Sequence, residues 1–263
     1  MAMPETPPRP FTFLPPLWME ETSSTNDVIK QRLSGGETPA SGFVIAALRQ
    51  TRGKGRMGTM WQSSMGGDLT FSFFWRGNQP PAVAATLPMA CALGVRDFLA
   101  LPPRRIATQC KWPNDVLAGC AKICGILAEG GPTADGGMGL IVGIGVNLRR
   151  VPGRDEALGR ATATVEDFIP VMGNDAAPAL LPELLACLSH RLSQWESGGF
   201  AAIRGDLVSC LWGIGRGIAA KTTKGKIRGI VSGLGESGEL LLTGDDGEPM
   251  RIASVSALEG WEA

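Results

Sequence analysis

Net charge is the first thing this sequence lacks. Lysine plus arginine number 25 and aspartate plus glutamate 25, so no overall field draws the chain to nucleic acid or to an anionic membrane. Long apolar runs are missing too, since none reaches the roughly 18 residues of a membrane-spanning helix. Histidine is reduced to His190, set in ACLSHRLSQW at helical spacing from leucines. It reads as a surface or boundary helix residue, and a Ser-His-Asp triad would depend on it alone. The six cysteines (91, 110, 120, 124, 187 and 210) include no CxxC pair. With one histidine they do not make up a structural zinc site, and in a reducing compartment they read as small buried hydrophobes. No GxxxxGK[ST] occurs, which removes a P-loop. The start, MAMPETPPRPFTFLPPLW, has neither the basic head nor the apolar run of a signal peptide. Its prolines give an extended lead-in, and the expected location is cytoplasmic.

What is present is an ordinary globular composition, 44% apolar and 19% charged over 263 residues, enough for one large domain and a small one. ETSSTNDVIKQRLSGG reads as a helix, capped by Ser24 or Thr25, with Val28, Ile29 and Leu33 on one side and Gly35-Gly36 as its stop. FVIAAL (43–48) and LTFSFFW (69–75) suit buried strands. VAATLPMACALGVRDFLA (83–100) is helical, Pro88 marking a kink or the true start. ATQCKW, a turn at VLAG, then AKICGILAEG and GLIVGIGVNL follow as strands, with GGPTADGGMG as a hairpin tip. Two helices fit 178–210. After Leu211 short strands divided by Gly and Asp-Gly signals indicate a small β-barrel. The expected division is a Pro-rich lead (1–15), a catalytic domain (16–210) and this barrel (211–263).

Chemistry concentrates in two stretches. RQTRGKGRMGTMWQSSMGGDL (49–69) contains a formal GxGxxG. A dinucleotide fingerprint opens a helix and is followed about 20 residues on by an acid, whereas these glycines run into TMWQSSMGGDLTF, which has no helical period. What is left is a loop whose backbone amides and Arg52, Lys54 and Arg56 suit phosphate or carboxylate oxygens. A solvated basic hairpin tip fits the same residues. So does a nucleic-acid contact with Trp61 beside it, although zero net charge and the lack of a second basic cluster weigh against that. In KWPNDVLAGCAKICGIL (111–127), Lys122 stands inside an apolar strand, where an unpaired ammonium is expensive to bury. Such a lysine faces a site and meets an anion, snorkels to water at a strand edge, or pairs with Asp115. Asp115, after Asn114, also suits a turn.

SSTN (23–26), QTRGKGRMGTMW (50–61), KWPNDV with its downstream K-x-x-G-I-L (111–127) and GIGVNL (143–148) resemble, in order and approximate spacing, the biotin protein ligases. KWPND with the following Lys-x-x-Gly-Ile-Leu is the specific signal; STN and GIGVN support it. The resemblance runs from about residue 16 to 165 and on into the C-terminal barrel. It implies an α+β fold, a mixed β-sheet with flanking helices plus a small SH3-like β-barrel. It implies an ATP-dependent ligase that makes biotinyl-5′-AMP and transfers biotin to a lysine of a biotin carboxyl carrier protein, of acetyl-CoA carboxylase or a similar biotin-dependent carboxylase. Mg²⁺ is implied with the nucleotide. The alternatives are lipoate or octanoate ligation or transfer, disfavoured by KWPND and the Gly-Arg loop, and a silent biotin sensor, disfavoured by the presence of both Arg56 and Lys122.

Position by position, the resemblance implies biotin contacts from Ser24, Thr25, Asn26 and Gln50. Lys54, Gly55 and Arg56 correspond to the loop folding over biotin and the adenylate. Trp61 closes the adenine side, and Asn114 and Asn147 lie by the nucleotide, with Lys111 in support. Lys122 is placed near the biotin carboxyl and α-phosphate, and Asp115 receives or orients the incoming amine; these two and Arg56 are the expected catalytic residues. Lys54, Met57 and Thr59 stand where many members carry arginine; lysine keeps the charge but loses the bidentate fork. About twenty residues precede SSTN, too few and too rich in proline for a helix-turn-helix module, so no operator binding is expected, and the charge balance and lack of a long apolar run give no membrane partner either. Which carrier is modified, and whether two chains form a homodimer, the sequence leaves open.

Overall fold

The apolar runs at 43–48, 69–75 and 139–148 become the middle of one sheet. In the computed structural model, residues 10–132, 137–171, 173, 175–222, 225–254 and 257–260 are described. Most of the expected Pro-rich lead, 1–9, and part of the expected hairpin tip, 133–136, lie outside them. Strands β1 (Leu17–Thr22), β2 (Val44–Gln50), β5 (Asp68–Gly77), β6 (Thr108–Lys111), β7 (Asp115–Ala118), β8 (Ala121–Pro132) and β9 (Met138–Asn147) form a seven-stranded sheet in the order β1-β2-β5-β9-β8-β7-β6. β1 runs parallel to β2 and every other pair is antiparallel. A short hairpin, β3 (Gly53–Lys54) with β4 (Met60–Trp61), stands apart from the sheet.

Alternation along the central strands sends two sets of side chains in opposite directions. Val44, Ala46, Phe71, Phe73, Trp75, Val142, Ile144 and Val146 join the main core with helices α3 (Leu87–Ala100) and α5 (Ala176–Gly198). There Trp75 and Trp195 meet edge to face at 5.3 Å, and each fully buried large side chain contributes about 1.5–3 kcal/mol. The other face carries only a small cluster of Ile29, Ile45, Phe74 and Ile141 under α1 (Thr25–Ser34). Beyond that cluster the same face is built of Gly143, Gly145 and Gly125, and a cavity opens over them.

Several expectations are refined. Helix α3 begins at Leu87 with Pro88 in its first turn, after a separate short α2 (Pro81–Ala84), so Pro88 marks a start rather than a kink. The VLAG stretch is strand through Ala118, and the turn falls at Gly119, which takes φ 59. Ser24 holds the N-cap position of α1 in extended conformation but makes no side-chain cap bond; the first helical amide, Thr25 N–H, goes to Gln50 Oε1 at 2.8 Å. Not all cysteines are buried: Cys120, in the β7–β8 turn, is exposed and Cys187 half-buried. His190 is exposed on α5, as expected of a surface helix residue.

The C-terminal segment forms a five-stranded antiparallel sheet, the small β domain expected there. Its strands are β10 (Gly217–Thr222), β11 (Gly225–Leu234), β12 (Leu240–Thr243), β13 (Pro249–Ile252) and β14 (Ala257–Gly260), in the order β13-β12-β11-β10-β14. The β6–β7 hairpin anchors it. Cys110 N–H donates to Cys210 O at 2.8 Å and Trp212 N–H to Cys110 O at 2.9 Å, just after helix α6 (Ala201–Ser209). The Trp112 indole donates to Gly238 O at 2.8 Å.

Candidate active site

The cavity, of about 570 Å³, lies between the glycine face of the sheet, the N-terminus of α1 and the β3–β4 hairpin. At one end the sequence SSTN is pulled inward. Ser24, Thr25 and Asn26 are only 2–3% exposed, and the side chains of Thr25 and Asn26 enter a polar ladder across the strands. Thr25 Oγ1 shares a 2.6 Å hydrogen bond with Ser72 Oγ, and Ser72 Oγ donates to Asn26 Oδ1. Asn26 Nδ2 donates to Glu129 Oε2 at 2.7 Å, and Lys30 closes on the other oxygen of that carboxylate. With the Ser72 proton given to Asn26, the Thr25 hydroxyl donates to Ser72, and Gln50 Oε1 accepts from Thr25 N–H at 2.8 Å. Donors and acceptors are thus fixed before any ligand arrives, which is what a polar ring needs for recognition.

The floor is made by absence of side chains. A Cβ at Gly143 would lie 2.5 Å from Asn26 Oδ1, one at Gly145 2.4 Å from Trp61 Cε2, and one at Gly125 2.8 Å from Lys122 Nζ. The indole of Trp61 and the amine of Lys122 therefore rest directly on the strands. A β-bulge gives Lys122 this direction. Val116 pairs with Cys124 but Leu117 pairs with Lys122, so Ile123 is an extra residue. Ile123 and Cys124 both enter the core at 0% exposure, while Lys122 and Gly125 face the cavity. Bulges re-aim side chains beside active sites in this way. Asp115, opposite Gly125 in the register, is brought into an ion pair with Lys122, their side chains 17 and 14% exposed.

Arg56 arrives from the hairpin and donates to Asn114 Oδ1 at 3.3 Å, while Asn114 Nδ2 holds Ile126 O. Burial lowers the Arg56 guanidinium pKa from its ordinary value, and the nearby Asp115 charge opposes that shift. Lys54 leaves the cavity edge to bond Asp27 Oδ1 at 2.5 Å. Lys111 reaches Leu258 O on β14 at 3.1 Å and lies over the Trp212 ring. Among the described lining residues five are cations (Lys54, Arg56, Lys111, Lys122 and Arg160) and one, Asp115, is acidic. A chain without net charge concentrates positive charge where it holds a cavity.

Every residue the resemblance assigns to the site lines this cavity except Asn147; Arg52, the remaining loop cation, is exposed and is not among the lining residues. Asn147 is 3% exposed and lies behind Lys122, with Nδ2 bonded to Lys122 O and Ala163 O and Oδ1 accepting from Arg154 Nη1. Both ends of its amide are committed to protein. Sequence reasoning missed its partners. Arg154 and Asp68 form a buried ion pair at 2.8 Å, 3 and 0% exposed. Burial pushes Asp68 up to about 6, with Arg154 opposing the shift. It also missed the glycine floor, although GIGVN displays two of its three glycines.

The model of the biotin/lipoate A/B protein ligase family matches residues 18–147. The biotin–[acetyl-CoA-carboxylase] ligase of Paracoccus denitrificans is 32% identical over 210 residues, covering 77% of this chain and 85% of that protein. The chain belongs to the biotin/lipoate A/B protein ligase family. Within the family it is also 29% identical to the bifunctional ligase/repressor BirA of Bacillus subtilis, over 88% of this chain and 70% of that one. A biotin protein ligase of Aquifex aeolicus, solved with biotin and ATP, superposes with a TM-score of 0.77 at 27% identity, covering 95% of this chain and 100% of the other. The matched span 18–147 takes in the Ser24–Asn26 end, the hairpin, the bulged strand and the glycine floor.

Proposed function

We propose that this chain is an ATP-dependent ligase that activates biotin as biotinyl-5′-AMP and passes the biotinyl group to a lysine of a biotin carboxyl carrier domain. The observation that carries the reading is the cavity itself. It has a neutral polar ring at one end and Lys122, Asp115 and Arg56 converging at the other, over a floor that only glycine permits. In this reading Ser24, Thr25, Asn26 and Gln50 take the ureido end of biotin. The hairpin residues Lys54, Gly55 and Arg56 cover the acyl and phosphate groups, and Trp61 and Asn114 border the nucleotide with Lys111.

The chemistry needs no enzyme nucleophile. A biotin carboxylate oxygen attacks the α-phosphorus, the bond to the bridging oxygen breaks, and pyrophosphate leaves. Negative charge shifts onto phosphate oxygens, where fixed cations lower the barrier. In this reading Lys122 and Arg56 are the cations that meet this charge. In the second step the carrier lysine attacks the acyl carbon, AMP departs, and the amine loses a proton. Asp115, held by Lys122 at the cavity wall, is the acceptor that orients that amine. Magnesium would enter with the nucleotide, held mainly by its phosphates and water, because Asp115, the single carboxylate among the described lining residues, is already paired with Lys122. Bound there it would relieve phosphate charge.

The division of labour assigns 16–210 to catalysis and 211–263 to a β domain touching the cavity through Leu258. A cytoplasmic protein acting without DNA or membrane suits the role, and two chains pairing as a homodimer is compatible with it. ATP-dependent pyrophosphate release tests the reading, with biotin, lipoate and octanoate compared. Release with biotin alone supports it. Release with lipoate or octanoate, or silence from protein that still binds biotin, overturns it.

A further inference from the structure

Lys122 sits where β8 parts from its neighbour. The β8–β9 register ends at Cys124 and Val146, so the backbone of Lys122 is not held by β9. A different segment takes over. Lys122 N–H donates to Ala161 O at 3.3 Å, and Ala163 N–H donates to Lys122 O at 2.9 Å. The same carbonyl accepts from Asn147 Nδ2 at 3.1 Å. Asn147 is in turn gripped by Arg154 on helix α4 (Arg154–Leu158), whose guanidinium also reaches Asp68 Oδ2 at 2.8 Å and Gln62 O at 3.3 Å. One buried cation therefore joins the loop before β5, the end of β9 and the start of α4.

We propose that Arg154 is a positioning residue for Lys122: acting through Asn147, it fixes the backbone from which the Lys122 ammonium projects, and it ties that backbone to the cavity wall formed by Ala157, Leu158 and Arg160. This role rests on reading Lys122 as the amine at the carboxyl and α-phosphate. A guanidinium suits the position because its planar fork serves three acceptors at once, which a lysine ammonium does not do in the same geometry. A buried ion pair adds little stability over packed apolar groups, so placement rather than stability is the function this network serves. The cavity wall of Ala157, Leu158 and Arg160 and the strand that carries the amine are then aligned by one side chain. Asp68 carries the counter-charge; its carboxylate faces Arg154 and accepts from Ser64 N–H.

The test is single-turnover biotinyl-AMP formation per folded protein for Arg154→Lys, for the paired neutral variant Asp68→Asn with Arg154→Gln, and for Lys122→Ala. The paired variant removes both buried charges together, so it keeps the test alive where Arg154→Lys alone leaves the fold short of a partner. The expected result is a loss of about tenfold or more in rate for both Arg154 variants, with the KM for biotin within about twofold of the parent. A structural role alone would lower the folded fraction and leave the rate per folded protein unchanged. That outcome, or a biotin KM rising in step with the lost rate, overturns the inference. Lys122→Ala separates the two readings. If it still makes the adenylate, the assignment of Lys122 fails and takes this inference with it. If it is inactive while the folded Arg154 variants keep the parent rate, only this inference fails.

Discussion

Lys122 and Gly125 lie three residues apart on one strand and face the same cavity, the amine 2.8 Å from where a Cβ of Gly125 would stand. Odd spacing on a regular strand puts residues on opposite faces; the bulge at Ile123 reverses this. The first prediction follows from that contact. In Gly125→Ala the methyl meets the flexible tip of Lys122 and, at 3.2 Å, the Trp61 ring. The lysine tip moves more easily than the strands, so the fold survives and the amine is displaced. Adenylate formation is expected to slow by about 10- to 100-fold with little change in Tm. Unchanged kinetics in the folded variant would show that the amine needs no fixed place.

Arg56 separates covering the cavity from stabilising the fold. Its guanidinium lies over the site and bonds Asn114, so Arg56→Ala is expected to slow adenylate formation by about 10- to 100-fold and to speed release of the intermediate. Asp27→Asn is the contrast. It removes an ion pair to Lys54 whose side chains are 25 and 43% exposed, and such pairs change stability by no more than about 1 kcal/mol. Rates of adenylate release measured for both variants decide the matter: equal retention by parent and Arg56→Ala would contradict the covering role.

The small sheet's attachment gives a third prediction. Trp112 is 6% exposed and its indole donates to Gly238 O across the two sheets. Trp112→Phe keeps most of the ring and removes the donor, leaving a buried carbonyl without that partner. Denaturant unfolding is expected to show a loss of about 1–3 kcal/mol, with biotin binding retained because Ser24–Asn26 and Gln50 are untouched. An unchanged midpoint would mean that the indole N–H contributes nothing to docking.

How far these features were legible in the sequence follows from the range of the forces involved. FVIAAL, LTFSFFW and GLIVGIGVNL announced themselves as strands because central strands covered on both faces read as continuous apolar runs. Lys122 stood out for the same reason, being a charge where burial is costly. Its direction was not legible, since a bulge is a property of two strands and not of one. Ser24 looked like a cap by local pattern, yet it makes no cap bond, and Thr25 N–H finds Gln50, 25 residues away from it. Asn147 stood out in GIGVN, but that Lys122 and Arg154 hold its amide could not be read there. Each miss involves a partner distant in sequence.

Asp68 provides the last prediction, a dependence of stability on pH. Its carboxyl is raised to about 6 in the folded protein, by burial first, with Arg154 opposing, against about 3.9 for an unfolded aspartate. A group whose folded pKa is raised holds its proton more tightly when folded. Its contribution is therefore complete below about pH 4 and is lost as pH rises through 6. From pH 4 to 7 the protein should lose about 3 kcal/mol from this residue, an upper figure because Arg154 remains to meet the charge. Other carboxylates titrate in the same window, so the quantity to measure is the difference between the parent and Asp68→Asn, which has no proton to exchange. Unfolding free energies at several pH values should diverge between about pH 4 and 6.5 and run parallel outside it, with the parent declining relative to the variant. Curves that stay parallel throughout would mean that Arg154 cancels the effect of burial and leaves Asp68 titrating as it does unfolded, ionised above about pH 4. The ion pair would then be present throughout that window rather than set by pH within it.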